Sequence, residues 1–123
     1  MSNGQTILIV EDNELNMKLF RDLLRAQGYV TLETNNGAEA LDLVCQHRPD
    51  LVLMDIQLSN VSGLEIIKSI KADAELKSIP VIAVSAFATQ WDTETMRELG
   101  CEACLTKPIT IISFIEAVET ALR

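Results

Sequence analysis

Four short clusters of reactive side chains each stand directly behind an apolar run. Glu11-Asp12 follows Thr6-Ile7-Leu8-Ile9-Val10, and Asp55 follows Leu51-Val52-Leu53-Met54. Ser85-Ala86 follows Pro80 to Val84, and Lys107-Pro108 follows Ala103 to Thr106. In a parallel sheet, ligands bind outside the carboxyl ends of the strands, at the point where strand order reverses. Three carboxylates, one hydroxyl and one ammonium then converge on one edge. Carboxylates crowded into one crevice repel each other and raise their own pKa values unless positive charge sits among them. All-oxygen ligation by few protein groups suits Mg²⁺, which keeps several waters, and Lys107 supplies a second positive charge. A carboxylate beside a divalent cation, a lysine and a hydroxyl is equipped to attack phosphorus. The cations steady the equatorial oxygens, and no elaborate acid-base apparatus is needed. The chemistry indicated is phosphoryl transfer to an aspartate.

The elements that must position these groups recur as a short apolar run, a polar turn and a stretch with helical periodicity. Thr6 to Val10 is apolar enough to be buried on both faces. Asp12 or Asn13 can cap the next helix, whose stripe is Leu15, Leu19 and Leu23 with Phe20 and Leu24 alongside, and Gly28 ends it. Tyr29 to Thr34 alternates like an edge strand, Asn36-Gly37 is a turn, and Ala40, Leu41, Val44 and Cys45 face inward on a second helix. Leu51 to Met54 is another buried strand, Gly63 opens a helix with Ile66, Ile67 and Ile70 inward, and Pro80 to Val84 is a strand. A weaker helix runs from Asp92 to Leu99 and closes at Gly100; Ala103 to Thr106 is a last strand, and Ile111, Ile115, Val118 and Leu122 mark a last helix. Regular alternation of strand and helix predicts a doubly wound α/β domain with right-handed crossovers.

At 123 residues the chain suits one domain with a real core. Aromatics are only 4%, so that core is aliphatic. A net charge of -8 argues against sequence-independent nucleic-acid binding, which needs phosphate neutralisation. No apolar run is long enough to cross a membrane, and Met1 to Thr6 lacks the features of a signal peptide. Three cysteines in a chain that needs no disulfide predict a reducing, cytoplasmic home. Cys101-Glu102-Ala103-Cys104 has a spacing that suits metals and redox pairs, but the pair precedes a strand, and the other ligands by type, Cys45 and His47, lie on another helix. Buried small residues are the better reading.

Val10-Glu11-Asp12-Asn13, Leu53-Met54-Asp55-Ile56, Val84-Ser85-Ala86 and Thr106-Lys107-Pro108 together resemble the signature blocks of response-regulator receiver domains, from about Thr6 to Leu122. The run from Val10 to Phe20, with Met54-Asp55-Ile56-Gln57-Leu58, further resembles DivK-type single-domain receivers, which act in bacterial cell-cycle control. The resemblance implies a CheY-like, flavodoxin-like sheet in the order 2-1-3-4-5 with five helices, forming one receiver domain over 1–123 with no output domain. It implies that Asp55 is the phosphoacceptor. Asp12, Asp55, the Gln57 backbone carbonyl and, through a water, Glu11 would hold Mg²⁺, for which Mn²⁺ can substitute. Ser85 would hydrogen-bond the phosphoryl group, Lys107 would pair with one of its oxygens, and Pro108 would shape the turn through a cis peptide.

The pattern also departs from the family. Glu11 stands where Asp is frequent, Ser85 where Thr is usual, and Ser59 where proline is frequent. Cys104 takes the place of the switching aromatic and has no ring to swing, so the expected path of the signal is the Ser85–Trp91 loop, with Ala86, Phe87 and Trp91. The resulting expectation is a phosphorelay module, not an enzyme beyond its own phosphorylation and autodephosphorylation. Its partners would be a histidine kinase or kinase-phosphatase and a histidine phosphotransfer protein, and its state a monomer or a weak phosphorylation-dependent dimer. The alternative is a degenerate receiver that binds partners independently of phosphorylation. A haloacid-dehalogenase-type enzyme would put its nucleophile after the first strand and carry a cap. An FMN carrier would not place Glu11 and Asp12 against the phosphate.

Overall fold

Strands with no polar face need cover on both sides, and the chain supplies it. The computed structural model describes residues 4–58, 62–86 and 90–123, with only the backbone at 90–93. In chain order the elements are β1 (Thr6–Val10), α1 (Glu14–Ala26), β2 (Val30–Thr34), α2 (Gly37–His47) and β3 (Leu51–Asp55). They continue with α3 (Gly63–Ala72), β4 (Val81–Ser85), α4 (Gln90–Glu98), β5 (Ala103–Thr106) and α5 (Ile111–Ala121). The strands pair in parallel in the order β2-β1-β3-β4-β5, as the resemblance implies. Successive side chains of the central strands alternate between two layers. Leu8, Val10, Val52, Met54, Val81 and Ala83 pack with Ala40, Val44, Ile66, Ile67 and Ile70 of α2 and α3. On the other face Ile7, Ile9, Leu51, Leu53, Ile82 and Val84 meet Phe20, Leu24, Phe114 and Val118 of α1 and α5.

Three helix faces differ from the periodicity reading. In α1 the buried residues are Met17, Phe20 and Leu24, whereas Leu15 is 79% and Leu19 38% exposed, and only Leu23 of the expected stripe packs at the core margin. Apolar residues lie at helical spacing on two faces here, and the bulk of Phe20 decides between them by stacking on Phe114, centroids 5.1 Å apart. In α5, Phe114 and Val118 point inward and Ile111 is 58% exposed. In α2, Cys45 is exposed; it lies about 100° round the helix from the buried Val44. Ile66, Ile67 and Ile70 of α3 are buried as expected.

The element ends follow their caps. Asn13, not Asp12, caps α1, its Oδ1 accepting from the Asn16 N–H at 3.0 Å. Asn36-Gly37 is the start of α2 rather than a free turn, with Asn36 Oδ1 accepting from Ala38 N–H at 2.9 Å. Gly28 and Gly100 take positive φ values just past α1 and α4, as their stop positions predict. Pro80, which has no N–H for the ladder, precedes β4, and Ser85 is the strand's last residue. No helix among the described residues is long and apolar enough to cross a membrane.

Candidate functional site

The order β2-β1-β3 reverses the direction of winding beside β1, and the carboxyl ends of β1, β3, β4 and β5 form one edge there. Asp55 ends β3, Ser85 ends β4, and Glu11 follows β1; each is almost wholly buried, at 2%, 1% and 1% exposure. Carboxylate oxygens of Glu11, Asp12 and Asp55 lie within 4.8 Å of one another, the one such cluster among the described residues. Lys107 reaches into it from the end of β5, its Nζ 3.2 Å from Asp55 Oδ2 and 3.4 Å from Glu11 Oε1.

Backbone groups hold these side chains in register. Asp55 Oδ1 accepts from the Gln57 N–H at 2.9 Å, and Glu11 Oε2 from the Asn13 N–H at 3.2 Å. The Glu11 N–H donates to the Thr34 carbonyl at 3.1 Å, and the Lys107 N–H to the Ser85 carbonyl at 2.8 Å. The Lys107–Pro108 peptide is cis, as expected. Burial, then the adjacent Asp55 carboxylate, push the Glu11 carboxyl up to about 7, against the pull of the Asn13 N–H and the Lys107 ammonium.

Glu11 Oε1 is buried with no hydrogen-bond partner among the described residues; the Lys107 ammonium stands 3.4 Å away without making a hydrogen bond to it, so a further cation would lower the cost of its burial. A buried carboxyl oxygen without a hydrogen bond, in a cluster of three acidic side chains, suits a hard, oxygen-seeking divalent ion. The donor set therefore fits Mg²⁺.

Glu11, Asp12, Asp55 and Lys107 are thus brought together as the sequence predicts. Gln57 is at the site through its N–H, and Ala86 joins through a hydrogen bond from its N–H to Gln57 Oε1 at 2.7 Å. Cys104 is half-buried on β5 and packs against the α2–α3 layer, and Cys101 is half-buried as well, with burial raising its thiol pKa to about 11. Phe87 and Ser59, and the side chain of Trp91, lie outside the described residues.

Two contributors escape the sequence reading. Thr34, buried at the end of β2, donates from Oγ1 to Glu39 Oε1 at 2.5 Å and holds Glu11 by its carbonyl. Its position behind a strand obeys the same rule as the other clusters. Gly63 opens α3 directly against the end of β3. A Cβ there would collide with the Asp55 carbonyl oxygen and come within 2.6 Å of Ile56 Cα. Only the tertiary packing reveals that.

The response regulator receiver domain family matches residues 7–119. The chain is 60% identical over 118 residues to the polar-differentiation response regulator DivK of Brucella anthropi, covering 96% of each. It is similar in structure to the receiver domain of a sensor histidine kinase from Pseudomonas aeruginosa, with magnesium coordinated in its active-site cleft (TM-score 0.87, 30% identity, 97% of this chain and 98% of that one). The manganese-bound form of the response regulator Rcp1 is similar too (TM-score 0.81, 26% identity, 94% and 90% covered).

Proposed function

The chain belongs to the response-regulator receiver family, and we propose that Asp55 is the phosphoacceptor through which a two-component phosphorelay switches its affinity for partner proteins. The observation that carries this reading is the Lys107 ammonium 3.2 Å from Asp55 Oδ2, beside the cluster of Glu11, Asp12 and Asp55. An Asp55 oxygen attacks the phosphorus of a phosphohistidine on a kinase or phosphotransfer protein. The P–N bond breaks, its electron pair stays on the imidazole nitrogen, and an acyl phosphate forms on Asp55. Lys107 balances charge on the phosphoryl oxygens, and the Ser85 hydroxyl donates a hydrogen bond to one of them. Asp12, Asp55 and the Gln57 carbonyl, with Glu11 through a water, would hold Mg²⁺ or Mn²⁺, which when bound neutralises charge on the transferring group. Catalysis is confined to the protein's own phosphorylation and slow autodephosphorylation.

Its partners in the cytoplasm are a histidine kinase or kinase-phosphatase that donates and removes the phosphoryl group, and a histidine phosphotransfer protein. Their docking surface is the outer face of α1 and the start of α5, where Leu15, Leu19, Ile111 and Ile112 are exposed beside the site-bearing edge. A net charge of -8 speaks against nucleic acid as a target. Likeness to DivK supports a role in polar differentiation and cell-division control, with the protein acting as a monomer or a weak phosphorylation-dependent dimer. The complete set of carboxylates and lysine disfavours a degenerate, phosphorylation-independent module.

Intact mass after incubation with a small phosphodonor tests this. One phosphoryl group should be gained with Mg²⁺ and not with chelator or in Asp55→Asn. Equal gain in Asp55→Asn overturns the assignment.

A further inference from the structure

Gly63 is the first residue of α3 and is buried against the end of β3. Its backbone conformation does not call for glycine, since the positive-φ glycines among the described residues are Gly4, Gly28 and Gly100. Lack of space does. A Cβ at position 63 would collide with the Asp55 carbonyl oxygen and come within 2.6 Å of Ile56 Cα and 3.1 Å of the Asp55 carbonyl carbon. All three are backbone atoms, so no change of rotamer relieves the contact. Carbon atoms ordinarily meet at about 3.5–4.0 Å, so even a methyl group needs a shift of about 1 Å. Helix α3 has little freedom to supply it, because Ile66, Ile67 and Ile70 are buried and a close-packed interior resists displacement. The peptide after Asp55 is freer. The Ile56 N–H is tied to the Val84 carbonyl at 3.0 Å, but Ile56 is only half-buried and Gln57 is exposed.

We propose that Gly63 is a positioning residue that sets the selectivity of the carboxylate site for Mg²⁺ over larger divalent cations, a role that rests on the site's holding Mg²⁺. The donors assigned to the ion come from two strand ends. Glu11 and Asp12 follow β1, whereas Asp55 and the Gln57 carbonyl stand at the end of β3, on the segment that a side chain at position 63 would push. The hydrogen bond from the Gln57 N–H to Asp55 Oδ1 at 2.9 Å travels with that segment, so the local turn survives while its spacing from β1 changes. Half of the donor set thus moves relative to the other half. Mg²⁺ demands near-ideal octahedral geometry at short distances, whereas Ca²⁺ accepts longer and less regular ones. The mismatch therefore falls mainly on the smaller ion.

Titration of the whole chain with Mg²⁺ and, separately, with Ca²⁺, followed by amide NMR, tests this in wild type, Gly63→Ala and Ile70→Val. NMR reads folded molecules apart from unfolded ones, and Ile70→Val weakens the core under α3 away from the site. Trimethylamine N-oxide, added equally to all samples, makes up any shortage of folded Gly63→Ala. The Mg²⁺ dissociation constant of Gly63→Ala should rise about 10–100-fold, the usual effect of disturbing groups that orient metal ligands. That for Ca²⁺ should rise by less than about threefold, and Ile70→Val should match the wild type with both ions. Unchanged Mg²⁺ affinity in Gly63→Ala, or a chain that does not fold even with the osmolyte, puts the cost of the Cβ on α3 and overturns the proposal. Equal losses for the two ions, or the same loss in Ile70→Val, overturn it as well. Failure of the wild type to bind Mg²⁺ overturns the reading of the site as a magnesium site, and this proposal with it.

Discussion

Burial and the neighbouring Asp55 carboxylate push Glu11 up to about 7 from an ordinary 4.5, so the metal-free site prefers this carboxyl protonated. A group whose folded pKa lies above its unfolded one contributes stability that is fully present below the unfolded value and lost as pH rises through the folded one. In chelator, the melting temperature should therefore fall between about pH 5 and about pH 8, and Mg²⁺ should raise it more at the upper end, where the ion no longer competes with a proton. Glu11→Gln should remove most of that fall; an unchanged slope in the variant would assign the pH dependence elsewhere. Glu11, Asp12, Asp55 and Lys107 were legible in the sequence because each combines a reactive type with a place just behind an apolar run. The hydrogen bond from the Ala86 N–H to the Gln57 side chain was not, since Ala86 comes from the end of another strand, and no local pattern marks such a pairing.

Helix α1 shows how a periodicity can be correct and still leave the face open. Leucines at 15, 19 and 23 and the set Met17, Phe20 and Leu24 both fit a helical stripe, and the stack of Phe20 on Phe114 buries the second set. The same choice turns Ile111 outward on α5 and leaves apolar residues of both helices exposed near the reactive edge. Phe20→Ala should cost about 3–5 kcal/mol in urea unfolding. Leu15→Ala should change stability by no more than about 0.5 kcal/mol. Comparable losses for the two would contradict the observed orientation of α1. The strands were easier to read than the helices, because a strand buried on both faces has no face to choose.

Across the whole molecule, the site draws on residues from Glu11 to Lys107, and only a parallel sheet with its strand ends on one edge can assemble them. Alternation of strand and helix predicts the layers and the site-bearing edge. It does not give the order of strands, because every central strand is similarly apolar and β1 could neighbour any of them; the family resemblance supplied the order that the pairings display. That order puts β1 and β3 side by side, with Val10 opposite Met54, which sets Glu11 beside Asp55. It also pairs Asp55 with Val84 and Ser85 with Thr106, bringing the ends of β4 and β5 to the same carboxylate. The convergence makes Asp55 the residue that should carry the phosphoryl group. Borohydride reduces an aspartyl phosphate to homoserine, so reduction after phosphorylation, followed by peptide mass mapping, locates the modified residue directly. Homoserine at position 55, dependent on both donor and Mg²⁺, is the predicted result; homoserine at another carboxylate, or none in protein that has gained a phosphoryl group, would contradict it.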